Sequence, residues 1–283
     1  MTNISMLLYG GPGVGKTALA VSAFWDWKRK KQIRDGRLLL FGCESNPALE
    51  VPEKLIKRFV SPESNPVKFS EDFMLYMRAA VREAAKNKGP EVFVFDGFSE
   101  WDVLWSLDTE LRNKGALGFY GRKKDEFIAF VQLRNPEVLG AHVIGTARVT
   151  ERKKGIRGRD GSYLVEPDPE YLEFKYIPAM QGWAKENLPH YFSYVFYMET
   201  DIGPVKLPSG KIIPKAPVHK VYTLPTGDFW VKNIKEHLWV PAGLADNLTN
   251  PSFDDILSIL ENLSRVEQPA GVEQAQVTKT KEA

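Results

Sequence analysis

The chain has 283 residues, 43% of them hydrophobic and 26% charged, which excludes a low-complexity or disordered polymer and fits one large folded domain or two small ones. The formal net charge is only +2, so any affinity for nucleic acid must come from local patches. A lone cysteine, Cys43, excludes an internal disulfide, and neither a membrane-length apolar run nor a leader-like N-terminus is seen, so a soluble cytoplasmic protein with no membrane partner is expected.

Residues 4–9 (ISMLLY) read as a short buried strand that begins almost at Met1, so nothing is expected ahead of it. Gly10-Gly11-Pro12-Gly13-Val14-Gly15-Lys16-Thr17 follows and fits G-x-x-x-x-G-K-[ST] at every position. Glycines let the backbone curl until its N–H groups face phosphate oxygens. Lys16 then reaches the β- and γ-phosphates, and Thr17 holds Mg²⁺. ATP and Mg²⁺ are the expected cofactors.

Residues 17–31 read as a helix with Leu19, Ala23, Phe24 and Trp27 on one face. Residues 37–41 (RLLLF) form a second buried strand ending near Cys43 and Glu44, and the proline-punctuated stretch 45–69 reads as irregular. Ser70 is expected to cap a helix with Glu71 and Asp72 in its first turn and Phe73, Met77, Ala80, Val81 and Ala84 as its stripe. Residues 92–95 (VFVF) are a third strand ending in Asp96, and helices are expected over 100–111 and 125–134. Residues 142–147 (HVIGTA) are a fourth strand. Continuous apolar strands alternating with helices imply an α/β fold: a mostly parallel sheet covered by helices on both faces.

Past residue 150 the pattern changes. Residues 191–198 and 218–224 read as strands, expected to be antiparallel additions to the sheet edge within about residues 190–235. A helix is expected over 252–263, with Ile256, Leu257 and Leu260 inward. The reading is thus a single domain over 1–265 with a disordered tail over 266–283.

In parallel sheets chemistry gathers at the carboxyl ends of the strands. Asp96 stands at one such end, as a metal-holding Walker B carboxylate or a loop Asp capping the next helix. Glu44 stands at another, as the base that activates water or as a solvated loop residue. Thr146 ends the fourth strand, as a γ-phosphate sensor or a hydroxyl satisfied by backbone. Cys43 reads as a small buried hydrophobe and His142 as a strand residue rather than a catalyst.

Two basic loops stand out. Residues 148–162 hold Arg148, Arg152, Lys153, Lys154, Arg157 and Arg159 against Glu151 and Asp160, a footprint suited to phosphates. Residues 113–124 interleave Lys114, Arg122, Lys123 and Lys124 with Phe119 and Tyr120, as single-stranded nucleic acid requires of a stacking surface. Ordinary solvated loops are the alternative for both.

Taken together, the chain resembles the RecA-like P-loop ATPases, and within them the phage nucleotide-binding proteins associated with single-strand annealing and recombination. The motifs are LLYGGPGVGKT at 7–17, LLLFGCE at 38–44, VFVFD at 92–96, HVIGTA at 142–147, IPAMQGWAKENLPHYFSYVFYM at 177–198 and FWVKN at 229–233. The resemblance implies ATP hydrolysis with Lys16 on the phosphates, Glu44 as base, Asp96 on Mg²⁺ and Thr146 as sensor. It also implies single-stranded DNA on the two basic loops, further copies of the chain and a single-strand-binding protein as partners. In an oligomer Lys232 or Lys235 would reach a neighbour's nucleotide, the alternative being an ordinary snorkelling lysine. Two features depart from the pattern: Arg148 stands where relatives often carry His, and no oligomerisation segment is recognisable at the N-terminus.

Two other readings stay open. Asp96-Gly97-Phe98 is similar to a segment of adenylate-type kinases, although Ser99-Glu100 replaces their Pro-Arg. A DNA-binding protein in which ATP acts as a switch is the third.

Overall fold

The structure is a computed structural model, which describes residues 3–41, 50–59, 69–112, 125–126, 128–151, 156–157, 163–164, 176–180, 187–206, 209–210, 212–225 and 228–266. The apolar runs become the core strands β1 (Ser5–Gly10), β4 (Gly36–Leu40), β6 (Val92–Asp96) and β7 (His142–Glu151). With β5 (Ile56–Arg58) and β11 (Tyr194–Lys206) they form the parallel part of a ten-stranded sheet, ordered β11-β1-β7-β6-β4-β5. Beyond β11, β12 (Ile212–Tyr222) and β14 (Asn247–Thr249) continue the sheet antiparallel. Two short strands pair antiparallel on its flanks, β10 (Tyr176–Pro178) on β7 and β13 (Lys232–Asn233) on β11.

Alternate side chains of each core strand enter opposite layers. Met6, Leu8, Leu38, Leu40, Val94 and Ile144 face one core, where α1 (Lys16–Val21) brings Leu19 and Ala20, and α4 (Phe253–Val266) brings Ile256, Leu257, Leu260 and Leu263. Leu7, Tyr9, Leu39, Phe93, Phe95 and Val143 face the other, covered by α2 (Phe69–Ala84) and α3 (Phe98–Arg112) through Phe73, Met77, Trp101 and Trp105. Each large side chain fully removed from water contributes roughly 1.5–3 kcal/mol, so both layers are needed. Ser252 begins α4, its hydroxyl accepting from the N–H of Asp255 at 3.3 Å while Asp255 accepts from the N–H of Ser252 at 2.7 Å.

Several sequence expectations are corrected. The helix expected over 17–31 stops at Val21, because Ser22 donates its hydroxyl to the Leu19 carbonyl at 2.6 Å and accepts the N–H of Phe253 at 2.9 Å. Phe24 and Trp25 then turn into the core, and β2 (Trp25–Asp26) pairs with β3 (Lys31–Gln32) as a hairpin. Within the stretch read as irregular, β5 adds a parallel edge to β4. Ser70 is buried inside the first turn of α2 rather than capping it. β11 is no antiparallel addition where it meets the core: Tyr194 to Met198 run parallel to β1, and the strand then extends past it to pair with β12 alone. β7 likewise runs on past Ala147 to Glu151, so Arg148 is a strand residue. The tail expected to be disordered lies outside the described residues from 267 onward.

Candidate nucleotide site

The phosphate-binding loop leaves β1 at Gly10 and enters α1 at Lys16. Gly10 must lack a side chain, since a Cβ there would lie 2.2 Å from the Met198 carbonyl oxygen on β11. Gly13 and Gly15 have φ of 74° and 89°, a left-handed backbone that side chains resist. These constraints fix a tight loop whose Gly11, Pro12 and Gly13 line a cleft beside Lys16 and Thr17, while Val14 packs on the core. The Lys16 ammonium donates to the carbonyls of Gly10 at 2.9 Å and Gly11 at 2.6 Å, so it lies over its own loop, where a phosphate oxygen would compete for it.

Sheet order decides what faces that loop. Because β7 lies between β1 and β6, Thr146 stands between the loop and Asp96. The Thr146 hydroxyl donates to Asp96 Oδ1 at 2.6 Å and accepts the N–H of Gly97 at 3.0 Å. From the other side the Thr17 hydroxyl lies 2.9 and 3.1 Å from the two Asp96 carboxylate oxygens. One carboxylate is thus held between two hydroxyls, one from α1 and one from β7. Carboxylate plus hydroxyl is a hard oxygen set of the kind Mg²⁺ takes together with phosphate oxygens, so Thr17 and Asp96 fit the metal. In this geometry Thr146 positions Asp96.

A second rung, two residues further along β7, joins that strand to α3. Thr146 and Arg148 share a strand face. The Arg148 guanidinium pairs with Glu100 on α3 at 2.5 Å, and its backbone N–H donates to the Ser99 hydroxyl at 2.9 Å. Glu100, Arg148, Lys16, Thr17, Asp96 and Thr146 all line one cleft of about 390 Å³. Glu100 is a site residue that sequence reasoning did not single out; its signal was the four-residue spacing from Asp96 across a strand-to-helix turn. Ser99 and Glu100, where a kinase of the adenylate type carries Pro-Arg, are both engaged with Arg148, and Phe98 is buried in the aromatic core.

The remaining expected residues fall as follows. Glu44 and Cys43 lie outside the described residues, as do Lys114, Phe119, Tyr120, Arg122, Lys123, Lys124, Arg152, Lys153, Lys154 and Arg159. Arg157 is in β8 (Ile156–Arg157), paired with Tyr163 in β9 (Tyr163–Leu164). Lys232 donates to the carbonyls of His190 at 2.8 Å and Phe192 at 2.7 Å, and burial, with Arg134 nearby, lowers its pKa. Lys235 is half-buried, its N–H on the Asn233 side chain at 2.9 Å. His142 is a buried strand residue: its Nδ1 accepts the N–H of Ile4 at 3.2 Å. A larger groove of about 580 Å³, between Ile4, Ser193 and α4, gathers no comparable chemistry.

Among the described residues, no helix is long and apolar enough to cross a membrane. Residues 2–224 match the family model of an AAA domain, a span that runs from β1 through β12. No curated protein matches the chain.

Proposed function

The chain belongs to the AAA-domain family of P-loop nucleotide-binding ATPases, and from that premise we propose that it hydrolyses ATP under the control of single-stranded DNA, in recombination, annealing or replication of the RecA-like phage type. The single observation that carries the reading is the pair of rungs on β7: Thr146 on Asp96, and Arg148 on Glu100. The strand that positions the metal-binding carboxylate is the strand that leads into the basic segment.

Bound Mg·ATP supplies a terminal phosphoryl group that water can take. The chain's part is to bind and orient. Lys16 and the loop amides neutralise the phosphates, Thr17 and Asp96 hold the metal, and Thr146 keeps the Asp96 carboxylate aimed. Glu44 is proposed to take the proton of the attacking water. Phosphates of a DNA strand on the segment after Ala147 would compete with Glu100 for Arg148, which is a physical route from DNA to the cleft. The loop at 113–124 is proposed as a stacking surface for the same strand. Assembly with further copies belongs to the proposal, with Lys232 or Lys235 offered to a neighbour's nucleotide; a single-strand-binding protein is a further proposed partner.

The site assignment is tested by Lys16→Ala. ATP binding followed by calorimetry, and phosphate release, should both fall to background. A variant that still binds and turns over ATP would remove the loop from the account.

A further inference from the structure

We propose that the β2–β3 hairpin is a second contact for the phosphate backbone of single-stranded nucleic acid, on the edge of the sheet opposite the nucleotide cleft. The proposal extends the reading above and rests on its nucleic-acid partner.

The hairpin carries Lys28, Arg29 and Lys30 in its turn and Lys31 at the start of β3, with Arg34 and Arg37 behind, and residues 25–37 contain only Asp26 and Asp35 as acids, in a chain whose net charge is +2. Residues 28–33 are all exposed. The base is rigid. Phe24 and Trp25 are buried, the Phe24 carbonyl accepts the N–H of Ile33 at 2.9 Å, and Arg34 is tied to Asp254 at 2.5 Å and Arg37 to Asp35 at 2.8 Å. Those two arginines hold the hairpin; Lys28, Arg29, Lys30 and Lys31 are exposed on it. Asp26 shapes the turn itself, one carboxylate oxygen accepting the N–H groups of Lys28 at 2.9 Å and Arg29 at 3.1 Å.

Lys30 supplies an independent observation. Its φ is 48°, in the left-handed region that glycine or asparagine occupies at lower cost. A lysine there keeps a cation at the end of the turn against the backbone's preference. The ion pairs of the turn do not neutralise it lastingly: Arg29 with Asp26 at 3.6 Å and Lys30 with Glu50 at 2.8 Å involve basic side chains 71% and 68% exposed, and such pairs exchange readily for phosphate. A membrane surface is disfavoured as the polyanion. An interfacial binder presents large apolar side chains beside its cations, whereas here Phe24 and Trp25 are buried, Trp27 packs on the core, and Ile33 is exposed at 39%.

Placement separates this contact from the first. The hairpin joins the far end of α1 to the start of β4, so it lies at the amino edge of the sheet, while Arg148 lies at the carboxyl edge. The six residues of β1 set the two edges about 20 Å apart.

The test is equilibrium binding of a fluorescent oligo-dT to the full chain over a range of salt, for the wild type, for Lys28→Gln/Arg29→Gln/Lys31→Gln and for Lys30→Gly. At roughly 0.7 per phosphate contact, the slope of log K against log salt should become shallower by about 2 in the triple variant and by about 0.7 in Lys30→Gly. Lys30→Gly relaxes the backbone, so it should bind more weakly while melting no lower than the wild type. Unchanged slope and affinity in both variants, beside a wild type that binds, would overturn this inference alone. A wild type that binds no oligonucleotide would overturn the nucleic-acid reading with it. Loss confined to parallel measurements on phosphatidylserine vesicles would reassign the hairpin to a membrane surface.

Discussion

His142 and Thr146 stand four residues apart on β7 and show two fates of a buried polar group. Thr146 is completed by Asp96 and Gly97 and becomes part of the cleft. His142 is completed by the N–H of Ile4, packs edge-on against Phe253 at 5.4 Å, and serves the sheet. Burial, helped by Arg34, holds the His142 pKa below its ordinary value near 6.5. The folded chain therefore keeps the imidazole neutral where the unfolded chain has begun to protonate it. With more protons on the unfolded state, this residue's contribution is full above about pH 6.5 and is lost as pH falls from there to the folded pKa. The melting temperature of His142→Asn should lie below that of the wild type at pH 8, and the gap should narrow by pH 5. A gap that stays constant or widens would mean that the ring is protonated in the fold.

The turn from α1 into β4 shows where reading the sequence succeeded and where it stopped. The complete loop motif and the apolar runs of β1, β4, β6 and β7 were legible, because strands buried on both faces carry their signal locally. The end of α1 was not. Leu19, Ala23, Phe24 and Trp27 have helical spacing, yet Phe24 and Trp25 are buried as the base of a hairpin, and the bond that stops the helix comes from Phe253, far along the chain. β5 was missed since three residues with one apolar member carry no period. The parallel pairing of β11 with β1 is likewise non-local. Glu100 has a non-local partner: β7 continues through Arg148, where the sequence reads as the start of a loop. The hairpin geometry is testable at Gly36, where a Cβ would stand 2.5 Å from the Phe24 ring. Gly36→Ala should cost about 1–3 kcal/mol in urea unfolding, as overpacking does. A neutral substitution would place Phe24 elsewhere.

At the scale of the whole molecule, the two ends of the core strands carry different chemistry. The carboxyl edge joins the phosphate-binding loop, the Thr17–Asp96–Thr146 cluster and the Arg148–Glu100 pair in one cleft. The amino edge carries the basic hairpin. A phosphate-binding loop alone does not separate a motor from a kinase or a switch. The proposed coupling through β7 makes a distinct demand: what happens on the basic segment should change turnover in the cleft. The most direct measurement is steady-state phosphate release from ATP with and without saturating single-stranded DNA. Mg²⁺-dependent release that rises when DNA is present is the expected result. Release indifferent to DNA, or phosphate passed to an acceptor such as AMP, would contradict it.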